Sequence, residues 1–275
     1  MDDADADGEG HWRLKRQFLE AVDRHEASVD RRDSSVLLPT SLVRAAAQVL
    51  SADGAALSVA DGRITVPIGV SDPAAAAVER LQFTVGEGPF HTALDSLTSV
   101  TADIDTHAGQ WPVLAAEVNR RTAFRSVLAW PFLLGGNVRG VLELYFTAPD
   151  GASNADAIGA HVVLGLVAGR LLVDADDADD DDADADADAT VTGGTAADPD
   201  PGGSGVGGPQ WVVGGVAHTR LGIWVVVGMV MSRTRLPSRD SLDVLRAAAF
   251  SRGEDLDLLC AAVVEQRVPL DTVLG

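Results

Sequence analysis

"RSVLAWPFLLGGNVRGVLELYF", Arg125 to Phe146, is the strongest structural signal in the chain. Two apolar runs flank Gly135-Gly136-Asn137, and that spacing predicts an antiparallel hairpin. Working outward, Gly54–Val70 reads as two more strands around the turn Asp61-Gly62, and Ser99–Ile104 as another. Helical periodicity covers 11–29, with Leu14, Phe18, Leu19 and Val22 on one stripe. It recurs from Leu38 to Leu50, with Thr40 or Ser41 near the cap. Asp72 is placed to cap a helix that has Pro73 at its first position. "FTVGEGPFHTAL" (Phe83–Leu94) reads as a short strand, a glycine-rich turn and a helix. A further helix begins near Pro112, and "ADAIGAHVVLGLVAGRLLV" (Ala155–Val173) closes the unit. Strands do not alternate regularly with long helices. The fold class is therefore α+β around an antiparallel sheet rather than a doubly wound sheet.

The charge pattern divides the rest of the 275 residues. The formal net charge is −20, but ten aspartates lie between Asp174 and Asp188, and five acids lie within the first nine residues. Without those fifteen, 26 acids face 21 bases, a mild balance for folded material. Residues 1–10 are thus expected to be a disordered acidic start, 11–173 a folded domain, and 174–210 an acidic and then Gly/Pro-rich disordered linker. Residues 211–275 form a second domain of three short helices: Leu221–Arg233, one capped by Ser238 and ended by Gly253, and one striped by Leu256, Leu259, Val263 and Val264. The apolar run before Met231 is broken by His218, Thr219 and Arg220, too short for a membrane span. One cysteine, Cys260, excludes an internal disulfide, and the acidic N-terminus lacks the pattern of a signal peptide. A cytoplasmic location is expected.

"GVSDPAAAAVERLQFTVGEGPF", "QWPVLAAEV", the Arg125–Phe146 hairpin and the closing helix resemble GAF domains. "GMVM", "SLDVLRAAAFSRG" and "LDLLCAAVVEQR" in 221–267 resemble ANTAR domains. In this order the chain is similar to actinobacterial GAF–ANTAR transcription antitermination regulators. The resemblance implies a GAF-like antiparallel sheet flanked by helices that senses a small-molecule signal, and a three-helix ANTAR-like bundle. It also implies a homodimer and binding to structured RNA with tandem stem-loops. Phe90 stands where the family usually has cysteine, and Val225-Val226-Val227 stands where it has a partly polar motif.

Within Met229–Gly253 five arginines face two aspartates. Arg233, Arg235, Arg239, Arg246 and Arg252 are the candidate RNA contacts, because guanidinium groups hold phosphate with paired hydrogen bonds. The alternative is a degenerate ANTAR protein that serves dimerisation or protein interaction without RNA. Ile223, Trp224, Val227 and Val230 would then form the dimer seam, on a helix apolar nearly all round. Phe90, His91, Trp111 and Trp130 are candidate pocket residues. Asp103, Asp105 and His107 lie close in sequence but lack the ligand spacing of a metal site. No nucleophile–base pattern is present, so neither enzymatic activity nor a cofactor is expected. The aspartate tract is either a solubilising spacer or an internal polyanion that competes for the arginines.

Overall fold

The computed structural model describes residues 3–28, 34–61, 64–134, 138–189 and 216–274. The hairpin forms as β4 (Ser126–Leu133) and β5 (Val138–Phe146), with its turn outside the described residues. β1 (Gly54–Asp61), β2 (Ile64–Val70) and β3 (Val100–Asp103) complete a five-stranded antiparallel sheet in the order β2-β1-β5-β4-β3. β5 is therefore central, paired along its whole length to β1 and β4. Prolines sit where no ladder donor is needed. Pro67 lies in the edge strand β2 beside a bulge, and Pro131 lies beyond the last residue of β4 that pairs with β3.

Helices cover both faces of the sheet. α1 (Asp3–Ala27), α2 (Ser34–Val49) and α7 (Ala157–Ala189) lie on one side. There Phe18, Leu42, Val43 and Val163 pack on the alternate residues Leu142, Leu144 and Phe146 of β5. α3 (Pro73–Val85), α4 (Pro89–Ser96) and α5 (Pro112–Arg121) lie on the other. There Val78, Leu81, Leu114 and Val118 meet Tyr145, while Phe90 and Leu94 meet Val141. The period-2 alternation of β5 assigns each side chain to its layer. A short α6 (Gly151–Asn154) links the sheet to α7. This is the expected α+β class, an antiparallel sheet flanked by helices.

The C-terminal bundle consists of α8 (Val216–Thr234), α9 (Ser238–Arg252), α10 (Leu256–Val264) and a final short α11 (Leu270–Leu274). Its core is Ile223, Val226, Val230, Leu245, Ala249, Leu256 and Leu259. Gly253 ends α9 in the left-handed region at φ 67°, which glycine adopts without strain. No helix of the described residues is long and apolar enough to cross a membrane.

Several boundaries differ from the sequence reading. α1 begins at Asp3, within the stretch expected to be disordered, and α7 continues past Val173 to Ala189. The stretch 174–189 is therefore helical in backbone while keeping the composition of a linker between the two folded units. Residues 190–210 of the expected linker lie outside the described residues. α2 starts at Ser34, with Pro39 inside it, so neither Thr40 nor Ser41 is its cap. Phe83-Thr84-Val85 is the last turn of α3 rather than a strand. Pro237, not Ser238, occupies the cap of α9. Asp72 does cap α3, accepting from the N–H groups of Ala74 and Ala75.

Gly69 of β2 lies against the backbone of α2: a Cβ there would stand 2.6 Å from the Pro39 carbonyl oxygen. Backbone cannot yield as a side-chain tip can. Gly69→Ala is expected to lower unfolding free energy by about 1–3 kcal/mol in a denaturant titration. Gly109→Ala, which meets nothing within 4 Å, should stay within about 0.5 kcal/mol of the parent.

Candidate functional site

The residues expected to line a pocket do not converge. Phe90 is buried under α4 against Val141 and Ala129. His91 Nε2 lies 3.1 Å from the Gln82 carbonyl oxygen. Trp111 is buried under α5 and stacks on His107. Trp130 lies on the opposite face of the sheet, where its ring meets His161 of α7. The one-residue alternation of β4 separates Trp130 from the other three, and sequence proximity to the hairpin does not reveal that. Asp103 accepts from the Thr106 N–H and Asp105 from the Asn119 amide, so local turns and α5 occupy these carboxylates.

A different group assembles beneath α3. Glu143 of β5 is 1% exposed. Its carboxylate accepts from Gln82 Nε2 at 2.8 and 3.1 Å and from the Tyr145 hydroxyl at 3.0 Å. The Gln82 side-chain oxygen accepts from the Phe90 N–H at 3.0 Å. Gly88 makes this possible: a Cβ there would stand 2.4 Å from that oxygen. The glycine-rich turn thus lets backbone approach the Gln82 amide. Its Glu87 reaches across to accept from the N–H groups of Val113 and Leu114, capping α5. The polar set borders a cavity of ≈ 10 Å³ walled by Val78, Leu114, Val118, Phe124 and Val127. That volume holds about one water at most.

Burial pushes the Glu143 carboxyl up to about 7, assisted by the nearby Glu79 charge and opposed by the hydrogen bonds from Gln82 and Tyr145. Burial and the Glu143 charge also raise the Tyr145 phenol well above its ordinary value. Sequence reasoning missed all three residues. The signal that was available is a lone acid, Glu143, inside the apolar run Val141–Phe146.

The five arginines scatter over the bundle. Arg233 pairs with Asp271 at 2.7 Å. Arg235 stands between α8 and α9 with φ 62°. Arg239 borders a surface hollow of ≈ 560 Å³ with Trp224, Pro237, Ser238, Asp240 and Leu242. Arg252 donates to the Thr272 carbonyl oxygen at 2.6 Å. Arg246 is half-buried; its Nε donates to the Phe83 carbonyl oxygen at 3.0 Å and its Nη1 to the Asp243 carboxylate at 3.2 Å. Of the residues expected at a dimer seam, Ile223, Val227 and Val230 are buried in the chain's own bundle, and Trp224 packs partly against it. Among the described side chains of α8, Val225, Met229 and Met231 are large apolar residues that stay exposed. Cys260 is buried, and burial together with the Asp257 charge pushes its thiol up to about 12.

No protein-family model and no curated protein matches the chain. Among solved structures, the GAF domain of a phosphoenolpyruvate-protein phosphotransferase from Coxiella burnetii is similar over 66% of this chain and 97% of its own, at 16% identity and a TM-score of 0.42. The N-acylhomoserine lactone dependent LuxR family transcription factor CepR2 from Burkholderia cenocepacia is similar over 59% of this chain and 95% of its own, at 13% identity and a TM-score of 0.43. The GAF domain of an Acinetobacter phosphoenolpyruvate-protein phosphotransferase is similar over 62% and 95%, at 14% identity and a TM-score of 0.34. At these scores the likeness decides nothing; the architecture rests on the strand order and register described above.

A carboxyl raised by folding binds its proton more tightly in the native state. The stabilisation is complete below the ordinary value of 4.5 and is lost as pH rises through about 7. Unfolding free energy measured from pH 4 to 8 should therefore fall with pH more steeply in the parent than in Glu143→Gln, by a few kcal/mol in total. Parallel profiles would contradict this.

Proposed function

We propose that the chain is a signal-responsive RNA-binding regulator. The sheet domain receives a small-molecule signal beside Glu143, and the bundle binds structured leader RNA and favours an antiterminator fold. The observation that carries the reading is the hollow at the turn between α8 and α9. There a guanidinium, Arg239, and a half-buried indole, Trp224, border a space of ≈ 560 Å³. RNA loops offer this pair what it can use: phosphate for the guanidinium and an unstacked base for the aromatic face. Arg233, Arg235 and Arg252 add exposed positive charge to the bundle. The mechanism is a shift among RNA folds, so no catalytic group is required.

A second reading, a dimerisation or protein-interaction module, draws on one observation. Val225 and Met229, spaced i and i+4 on α8, are 57% and 41% exposed. They form an apolar face next to glycines that leave open space around them.

The test is titration of the full chain with tandem stem-loop RNAs across a salt series. Binding should weaken linearly on logarithmic axes, and Arg235→Ala and Arg239→Ala should each lower the salt slope by about 1. Absence of binding at low salt, together with a dimer that Val225→Glu dissociates, would favour the second reading.

A further inference from the structure

The bundle does not hang free of the sheet domain: it sits on the C-terminal end of α3, and each supplies what the other's helix ends lack. The last carbonyls of a helix and the first N–H groups of the next have no partners of their own. At the end of α3, the Phe83 carbonyl accepts from Arg246 Nε of α9 at 3.0 Å, and the guanidinium carbon lies 5.5 Å from the centre of the Phe83 ring. At the start of α10, the Asp255 side chain makes no cap. The Leu256 N–H instead donates to the Thr84 hydroxyl of α3, at 3.1 Å and buried. The Asp255 carboxylate accepts from Arg80 of α3 at 3.0 Å and from Arg121 of α5 at 3.2 Å. The Phe83 ring joins the bundle's core beside Ile223 and Leu245. Gly86 completes the fit, since a Cβ there would stand 2.9 Å from Arg246 Nη1.

The residue before Phe83 is Gln82, the amide that holds Glu143 and the Phe90 N–H. One helical turn therefore faces the closed cavity with Gln82 and the bundle with Phe83 and Thr84. A cavity of ≈ 10 Å³ admits no small molecule unless a wall moves. The sheet wall is paired on both sides along β5. The wall left to move is the helical layer, and its α3 end bears the bundle.

We propose that this seam is a releasable latch: the bundle rests on α3 while the cavity is closed, and a small polar ligand that inserts between Gln82 and Glu143 displaces the end of α3 and frees Arg246 and the bundle. The latch deepens the sensor reading above and rests on it for the ligand beside Glu143 and for RNA as what the freed bundle binds. Its consequence is reciprocal. Opening the cavity loosens the seam, and opening the seam loosens the cavity, by the same coupling free energy.

Hydrogen exchange on the full chain reads both sides. Gln82→Met cuts the cavity side; Thr84→Val with Asp255→Asn cuts the seam, the first change nearly isosteric at a buried position and the second at a partly exposed one, and keeps the test available if the first variant folds poorly. The cavity variant should speed exchange at the Leu256 amide, and the seam variant at the Phe90 amide, each by at least about fivefold. The Leu50 amide on the far side of the sheet should be unchanged in both. Faster exchange confined to the side that was altered would overturn the latch. A stem-loop RNA titration of the same variants then separates the two ideas. Coupled exchange with tighter RNA binding by the seam variant supports both. Coupled exchange with no RNA bound by any variant keeps the latch and removes RNA as its cargo.

Discussion

The fold is organised by the burial of β5 on both faces. A strand paired on both edges and covered on both sides leaves no room for an unsatisfied group, so its one acid must find partners within the protein. Glu143 finds Tyr145 two residues along its own strand and Gln82 on α3. That requirement ties the position of α3 to the centre of the sheet. The placement of Phe90 follows from it, because Gln82 spends its second contact on the Phe90 N–H.

The same helix carries the second domain. A bundle of some sixty residues has little apolar area to bury by itself. Here it borrows Phe83 as a core residue and Thr84 as a helix cap. The ion pairs of Asp255 with Arg80 and Arg121 are partly solvent-exposed, so they set register more than strength. Shape and capping hold the seam, and the charges align it. A contact made of a few directional bonds on one helical turn suits an element whose two faces serve different domains.

Charge pattern and structure part ways at the arginines. Five in a short stretch read as one surface, but helix geometry and the bundle's own polar needs distribute them. Arg252 satisfies a carbonyl near α11, Arg233 meets Asp271, and Arg246 serves α3. Of the five, Arg239 borders the hollow beside Trp224, and Arg235 lies in the turn that precedes it. The apolar run of α8 behaves similarly: Ile223, Val227 and Val230 turn inward, while Val225 and Met229 stay outside.

The sequence by itself determined the elements whose signals are local. The hairpin, the Asp72 cap, the Gly253 stop and the α+β class depend on periodicity, turn residues and fixed dihedrals within a few positions, and each is found where it was read. Element ends proved less legible where composition and propensity oppose one another, as in the Asp/Ala tract that continues α7. The tertiary structure alone decided the candidate site and the seam. Gln82 and Glu143 are 61 residues apart and Phe83 and Arg246 are 163 apart, and nothing local marks either pair. Their meeting is a consequence of strand order and of which helix face is left to bury, and those are settled only when the whole chain packs.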